Sequence, residues 1–263
     1  MPRYQTPDGS FVHYRLEGRA LASRPALIFI HGWCGNLHHW DAQARHFSRT
    51  HRVLRMDRRG HGRSQVFKDP GTGRDHADDI AAIARRERIR RAVVVGSGGD
   101  GCPIALELTR SYPNLVRGTV LIDTPLNPQV TIGAGNHALG AVLGEMSDSI
   151  RASGARAIGT FYRTYFHPRT RRSIVKRAVE AAAQTPVPVA LAGLQRIADG
   201  SETIAGDIRQ PLLWLMATEI DEDHTRRFAP QAAFARVVGA GHFPQLETPA
   251  QVNAMLETFT SQL

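Results

Sequence analysis

Two cysteines, Cys34 and Cys102, are all that 263 residues contain, too few for the disulfide framework that small secreted domains rely on. Free thiols suit a reducing compartment. No stretch approaches the about 18 consecutive apolar residues of a membrane span. The opening MPRYQTPDGS lacks the basic start and apolar run of a secretory signal. A cytoplasmic protein that neither crosses nor is anchored in a membrane is the expectation. Internal repeats and low-complexity tracts are also missing, which excludes solenoids and fibrous arrays. Acidic residues are the minority charge, 24 against 33 lysines and arginines, leaving a formal net charge of +9. The densest cationic run is Arg85, Arg86, Arg88, Arg90 and Arg91. Clustered cations are the electrostatic footprint of nucleic-acid binding. Here the arginines spread through the whole chain, no recognition motif accompanies them, and residues such as Glu87 offer solvated helix partners. No nucleic-acid partner is expected.

What is present is ordinary globular composition, 42% hydrophobic and 22% charged, in a length that suits one domain with an inserted segment. Residues Tyr4 to Leu16 alternate around a PDG turn and read as an N-terminal hairpin. Short continuous apolar runs follow: ALIFI (Ala26 to Ile30), VLRM ending at Met56, AVVV (Ala92 to Val95), TVLI (Thr119 to Ile122) and LLWLM (Leu212 to Met216), with FARVV (Phe234 to Val238) the last strand candidate. Continuous apolar runs mark strands buried on both faces. Helical patterns such as HADDIAAIARRE and PIALELTRSY separate them. The alternation predicts an α/β fold, a mostly parallel twisted sheet covered by helices on both faces. Right-handed crossovers then bring the strand C-termini to one edge, where open α/β sheets bind ligands. From about 127 to 210 the rhythm breaks into helical segments with no buried strand. The expected division is a core of residues 1–126 and 211–263 and a helical lid of residues 127–210, since long insertions in compact domains are usually functional.

Four motifs fall at strand ends: HGWCGN (His31 to Asn36), DRRGHGRS (Asp57 to Ser64), VVVGSGGDG (Val93 to Gly101) and GAGHFPQLETP (Gly239 to Pro249). Together and in this order they resemble the α/β-hydrolase fold superfamily, in particular its small lid-bearing esterases, lactonases and carbon-carbon hydrolases. The resemblance implies a backbone N–H from Trp33, after the tight turn at Gly32, in an oxyanion site; donors fixed in place stabilise developing negative charge cheaply. Gly99, beside the nucleophile position, belongs to the same expected site. The resemblance also implies that His242 is the base, and neutral imidazole suits that role near pH 7. Asp57 and His61 are read as organisers of their loop.

A histidine base needs an acid to hold its tautomer, and two positions compete. Asp221 follows the seventh strand, the commoner place in the family, but stands only 21 positions before His242, closer than relatives usually put it. Asp123 follows the sixth strand. Asp221 is slightly favoured.

The nucleophile elbow departs from the family pattern. Such a turn needs small residues two before and two after the nucleophile. Counting forward from the preceding helix puts the nucleophile at Gly98, and counting back from the following helix puts it at Gly99, as though a residue had been inserted. Neither carries an oxygen or sulfur. Ser97 is one substitute, although Val95 two positions before it is bulky. Asp100 is the preferred one, flanked by Gly98 and Cys102, with lid residues Tyr162 and Tyr165 as polarising hydroxyls of the kind epoxide hydrolases use. Cys102 falls a step too far into the helix. The remaining alternative is chemistry without a nucleophile, as in the family's cofactor-free dioxygenases and lyases, or a ligand-binding relative without catalysis. The overall expectation is a hydrolase-like enzyme acting on a small organic molecule, with no metal and no cofactor.

Overall fold

The computed structural model describes residues 2–19, 23–126 and 139–263. Strands β1 (Arg3–Gln5) and β2 (Phe11–Glu17) form the N-terminal hairpin, followed by β3 (Ala26–Ile30), a 3-10 turn (Leu37–Trp40), α1 (Asp41–Phe47), β4 (Val53–Met56), α2 (Gly73–Arg86), β5 (Ala92–Ser97), α3 (Gly98–Ser111) and β6 (Val116–Ile122). Five helices come next among the described residues: α4 (Leu139–Ser153), α5 (Ala155–Thr164), α6 (Arg172–Ala182), α7 (Val187–Ala198) and α8 (Glu202–Asp207). The chain returns to the sheet with β7 (Leu212–Met216), α9 (Glu222–Phe228) and β8 (Ala232–Arg236), then ends with α10 (Pro244–Glu247) and α11 (Pro249–Thr260).

The eight strands form one sheet in the order β1-β2-β4-β3-β5-β6-β7-β8. Only the pairings of β1 with β2 and β2 with β4 are antiparallel; every other pairing is parallel. This is the α/β-hydrolase architecture. The last strand starts two residues earlier than the apolar run FARVV suggests, because pairing with Leu212 begins at Ala232. Alternation sends strand side chains to opposite faces. Ile28, Val94, Leu121 and Trp214 pack under α2 and α3. Leu27, Phe29, Val95 and Leu215 face the other way, with residues of α1 and α11. Burial of each such side chain is worth about 1.5–3 kcal/mol.

The helices between β6 and β7 build a third apolar cluster over the strand C-termini, with Ile150, Ile158, Tyr162 and Leu194 packed around Trp33 and Phe243. The first part of the expected insertion, residues 127–138, lies outside the described residues. Among the described residues, no helix is long and apolar enough to cross a membrane.

Candidate active site

β5 runs in register beside β6 up to the pair Ser97 and Ile122, and α3 begins at the next residue. Gly98 is thus the first residue of α3 after the strand, and Gly99 is one step into the helix. Gly98 has φ of +66°, a conformation that side-chain-bearing residues rarely adopt, and a Cβ placed on it would lie 2.9 Å from His242 Nε2. The imidazole thus occupies the approach to the place where a nucleophile side chain would stand. Opposite, a Cβ on Gly32 would lie 2.6 Å from the Ser97 carbonyl oxygen. Only glycine lets the loop after β3 close on the elbow, which sets Trp33 and Gly99 on one cavity wall with His242.

His242 shares a 2.8 Å hydrogen bond between its Nδ1 and Asp123 Oδ2. The Asp123 side chain is fully buried and that of His242 is 27% exposed. Asp123 Oδ1 accepts from the N–H groups of Ala217 and Thr218 and from the Thr218 hydroxyl, at 2.8–2.9 Å. Burial pushes the Asp123 carboxyl up, but the His242 hydrogen bond and charge and these N–H donors outweigh it and hold it below its ordinary value. Asp123 itself sits at φ of 53°, the left-handed conformation that a non-glycine residue pays for locally. The backbone around His242 is clasped as well. Its N–H donates to Tyr165 O at 2.8 Å. Glu247 Oε1 accepts from the N–H groups of Gly241 and Phe243, both at 3.1 Å.

The other expected residues are placed differently. Asp221, the favoured acid, is exposed and caps α9, accepting from His224 N at 2.8 Å; the short connection to His242 leaves it at a helix start, and Asp123 holds the histidine instead. Asp100, the favoured nucleophile, is fully buried in an ion-pair cluster. Arg58 Nη2 donates to its Oδ2 at 2.7 Å and Arg196 Nε to its Oδ1 at 2.8 Å. Burial raises this carboxyl, but Arg196 and Arg58 dominate and keep it strongly depressed and ionised. Ser97 is fully buried, and its Oγ accepts from Gln245 Nε2 at 2.8 Å. Cys102 is buried against Ile122 O, and burial pushes its thiol up. Tyr162 donates to Trp33 O at 2.9 Å, and the Tyr165 hydroxyl lies 3.5 Å from the Met146 sulfur. Asp57 accepts from Leu37 N and Arg63 N, tying its loop together.

Sequence reasoning missed Arg58, Arg196, Gln245 and Glu247. Gln245 and Glu247 fall in the segment GAGHFPQLETP and Arg58 in DRRGHGRS, whereas Arg196 stands in none of the four motifs.

Gly32, Trp33, Gly99, Leu143, Leu194, Ile197, Tyr162, Tyr165, His242 and Phe243 enclose a cavity of about 40 Å³. No group of three metal-ligating side chains suited to a metal ion occurs among the described residues. The arrangement offers a base with an open Nε2 and backbone donors at a helix start, whose first N–H groups have no intrahelical acceptor.

A family model described as alpha/beta hydrolase fold matches residues 25–249. A non-heme chloroperoxidase of Streptomyces lividans is 34% identical over 163 residues, 60% of this chain and 55% of that protein. The bifunctional esterase/perhydrolase DCH of Acinetobacter calcoaceticus is 40% identical over 111 residues, 41% of this chain and 39% of that protein. The chain therefore matches about half or less of the length of these relatives. Among solved structures, the enol-lactonase of Burkholderia xenovorans superposes with a TM-score of 0.84 at 20% identity, over 99% of this chain and 100% of that one.

Proposed function

The chain belongs to the α/β-hydrolase fold family, and we propose that within it this protein hydrolyses a small ester or lactone by general-base catalysis, without a covalent intermediate. The observation that carries this reading is the 2.9 Å between His242 Nε2 and the absent Cβ of Gly98. No side-chain nucleophile stands in front of the base, and His242 lines a cavity with Gly99 and Trp33 from which a water can reach Nε2. The esterase named among the relatives supports the choice of bond.

In this mechanism a water in this cavity gives its proton to His242 Nε2 as its oxygen adds to the substrate carbonyl carbon. Asp123 fixes the Nδ1–H tautomer and stabilises the imidazolium that forms. The N–H groups of Trp33 and Gly99 receive the oxyanion. On collapse the carbon–oxygen bond to the leaving group breaks, and His242 returns the proton to the departing oxygen. The products are a carboxylic acid and an alcohol, joined in one molecule when the substrate is a lactone. Helices α4–α8 act as the lid, and Trp33, Tyr162, Tyr165 and Phe243 give the pocket an aromatic lining that favours a small, flat acyl group.

The test is a single-turnover reaction quenched in acid and read by protein mass spectrometry, alongside labelling with a serine-directed fluorophosphonate. Hydrolysis with no acyl adduct and no label is expected. A stoichiometric adduct on any side chain, Ser97 and Asp100 included, would overturn the reading.

A further inference from the structure

A cleft of about 440 Å³ opens beside the segment that carries His242. The 3-10 turn and α1 form one wall, α6 forms the other, and Gln245 and Leu246 of α10 close it. It shares no lining residue with the cavity at His242. The two are in touch through aromatic packing, since Phe243 of the cavity lies edge-on to His39 of the cleft with ring centroids 5.6 Å apart.

Two side chains buried at this cleft have unused hydrogen-bonding capacity. His39 is 4% exposed and neither ring nitrogen has a partner. Gln245 is fully buried; its side-chain Nε2 donates to Ser97 Oγ, and its side-chain Oε1 accepts from no group. Burial holds the His39 pKa down to about 4, so at neutral pH the ring presents one N–H and one lone pair. Together, one N–H on the histidine and one acceptor on the glutamine match a hydroxyl, which both donates and accepts.

The rim has the opposite character. Arg45 and Arg177 are exposed and line the cleft, and neither has a carboxylate partner among the described residues. The one acid at the rim, Asp41, is already bound to Arg55 and His38. The cleft is therefore cationic at its mouth and neutral, with hydrogen-bonding groups, at its base. Its volume lies within the usual range for small-molecule sites.

We propose that this cleft is a second ligand site, which takes a short hydroxycarboxylate with its carboxylate at Arg45 and Arg177 and its hydroxyl on His39 and Gln245. Arginine suits the planar anion. The site does not depend on the chemistry assigned to His242. The Gln245 bond to Ser97 nonetheless connects a bound ligand, through Gln245, to the residue before Gly98.

Titration calorimetry on the full chain with lactate, propionate and lactamide tests this. Lactate is expected to bind saturably, and propionate, which lacks the hydroxyl, and lactamide, which lacks the charge, at least tenfold more weakly. Arg177→Ala, at an exposed position outside the catalytic cavity, should weaken lactate binding at least tenfold while turnover stays unchanged. His39→Leu should weaken it similarly while the Tm holds or rises, because the substitution removes an unsatisfied buried ring. His242→Ala should leave lactate binding intact, so failure of the catalytic reading and failure of this one are distinguishable. The proposal falls if lactate gives no saturable heat, or if propionate or lactamide binds as well as lactate. It falls equally if His39→Leu binds lactate normally, which would mean that the buried groups hold only water, or if His242→Ala abolishes binding while Arg177→Ala does not.

Discussion

Activity should turn on two side chains that lie 119 residues apart in sequence and 2.8 Å apart in space. His242→Ala is expected to lower kcat/KM for ester hydrolysis by about 10²–10⁴-fold, the usual worth of a positioned base, with circular dichroism unchanged. Asp123→Asn should fall by about 10²-fold or more, since an amide in that place can hold the wrong tautomer. Asp221→Asn should keep full activity and lose less than about 1 kcal/mol of stability, because asparagine caps helices nearly as well. Equal losses in both aspartate variants would remove Asp123 from the proposed dyad. His242 was legible as a candidate because GAGHFPQLETP, after the last strand, resembles the family's segment there. The choice between the aspartates was not, since each follows a strand. What distinguishes Asp123 is the left-handed turn after β6 and the donors from Ala217 and Thr218, both products of the folded sheet.

The junction of β5 with α3 shows how an element can be legible while its register is not. Counting forward from the preceding helix points to Gly98 and counting back from the following helix to Gly99, so counting along the chain gives two answers. The left-handed backbone of Gly98 and its approach to His242 Nε2 favour the first of them. Gly98→Ala is then expected to cost about 1–2 kcal/mol for a Cβ in the left-handed region. It should also reduce turnover at least tenfold, because its methyl group would lie 2.9 Å from Nε2 and displace the imidazole. Unchanged kinetics in a folded variant would show that the position of the imidazole over Gly98 is not used. Asp100 was chosen from its neighbours in sequence, whereas its partners Arg58 and Arg196 lie 42 and 96 residues away. It joins α3 to α7, and its removal leaves the buried Arg58 and the partly buried Arg196 sharing no carboxylate. Asp100→Asn is accordingly expected to destabilise the protein by about 3–5 kcal/mol, read from denaturant midpoints. Activity lost without any loss of stability would instead favour a role in chemistry.

For the molecule as a whole, the fold was legible because five apolar runs and the helices between them leave little choice but a covered parallel sheet. What the histidines do to stability was not, because it depends on where the fold encloses them. His31, His39, His61 and His76 are all buried. Burial is the main cause pushing each pKa down, to about 4 for His39, to about 3 for His61, and well below the ordinary value for the other two. On unfolding each returns to about 6.5. The folded values are depressed, so below pH 6.5 the unfolded chain binds more protons than the native one. The stability these groups contribute is complete above that pH and is lost as pH falls towards the folded values. Each group contributes a slope of about 1.4 kcal/mol per pH unit, and the four together approach about 5 kcal/mol per unit near pH 5. Against a typical total of about 5–15 kcal/mol, acid unfolding should begin below pH 6 and be far advanced by about pH 4.5, above the range in which exposed carboxylates titrate. Urea midpoints measured every half unit from pH 7.5 to 4.5 would reveal it, and His39→Leu should flatten the slope by about one proton. A protein whose midpoint stays level down to pH 4.5 would contradict the view that these rings are held neutral inside the fold.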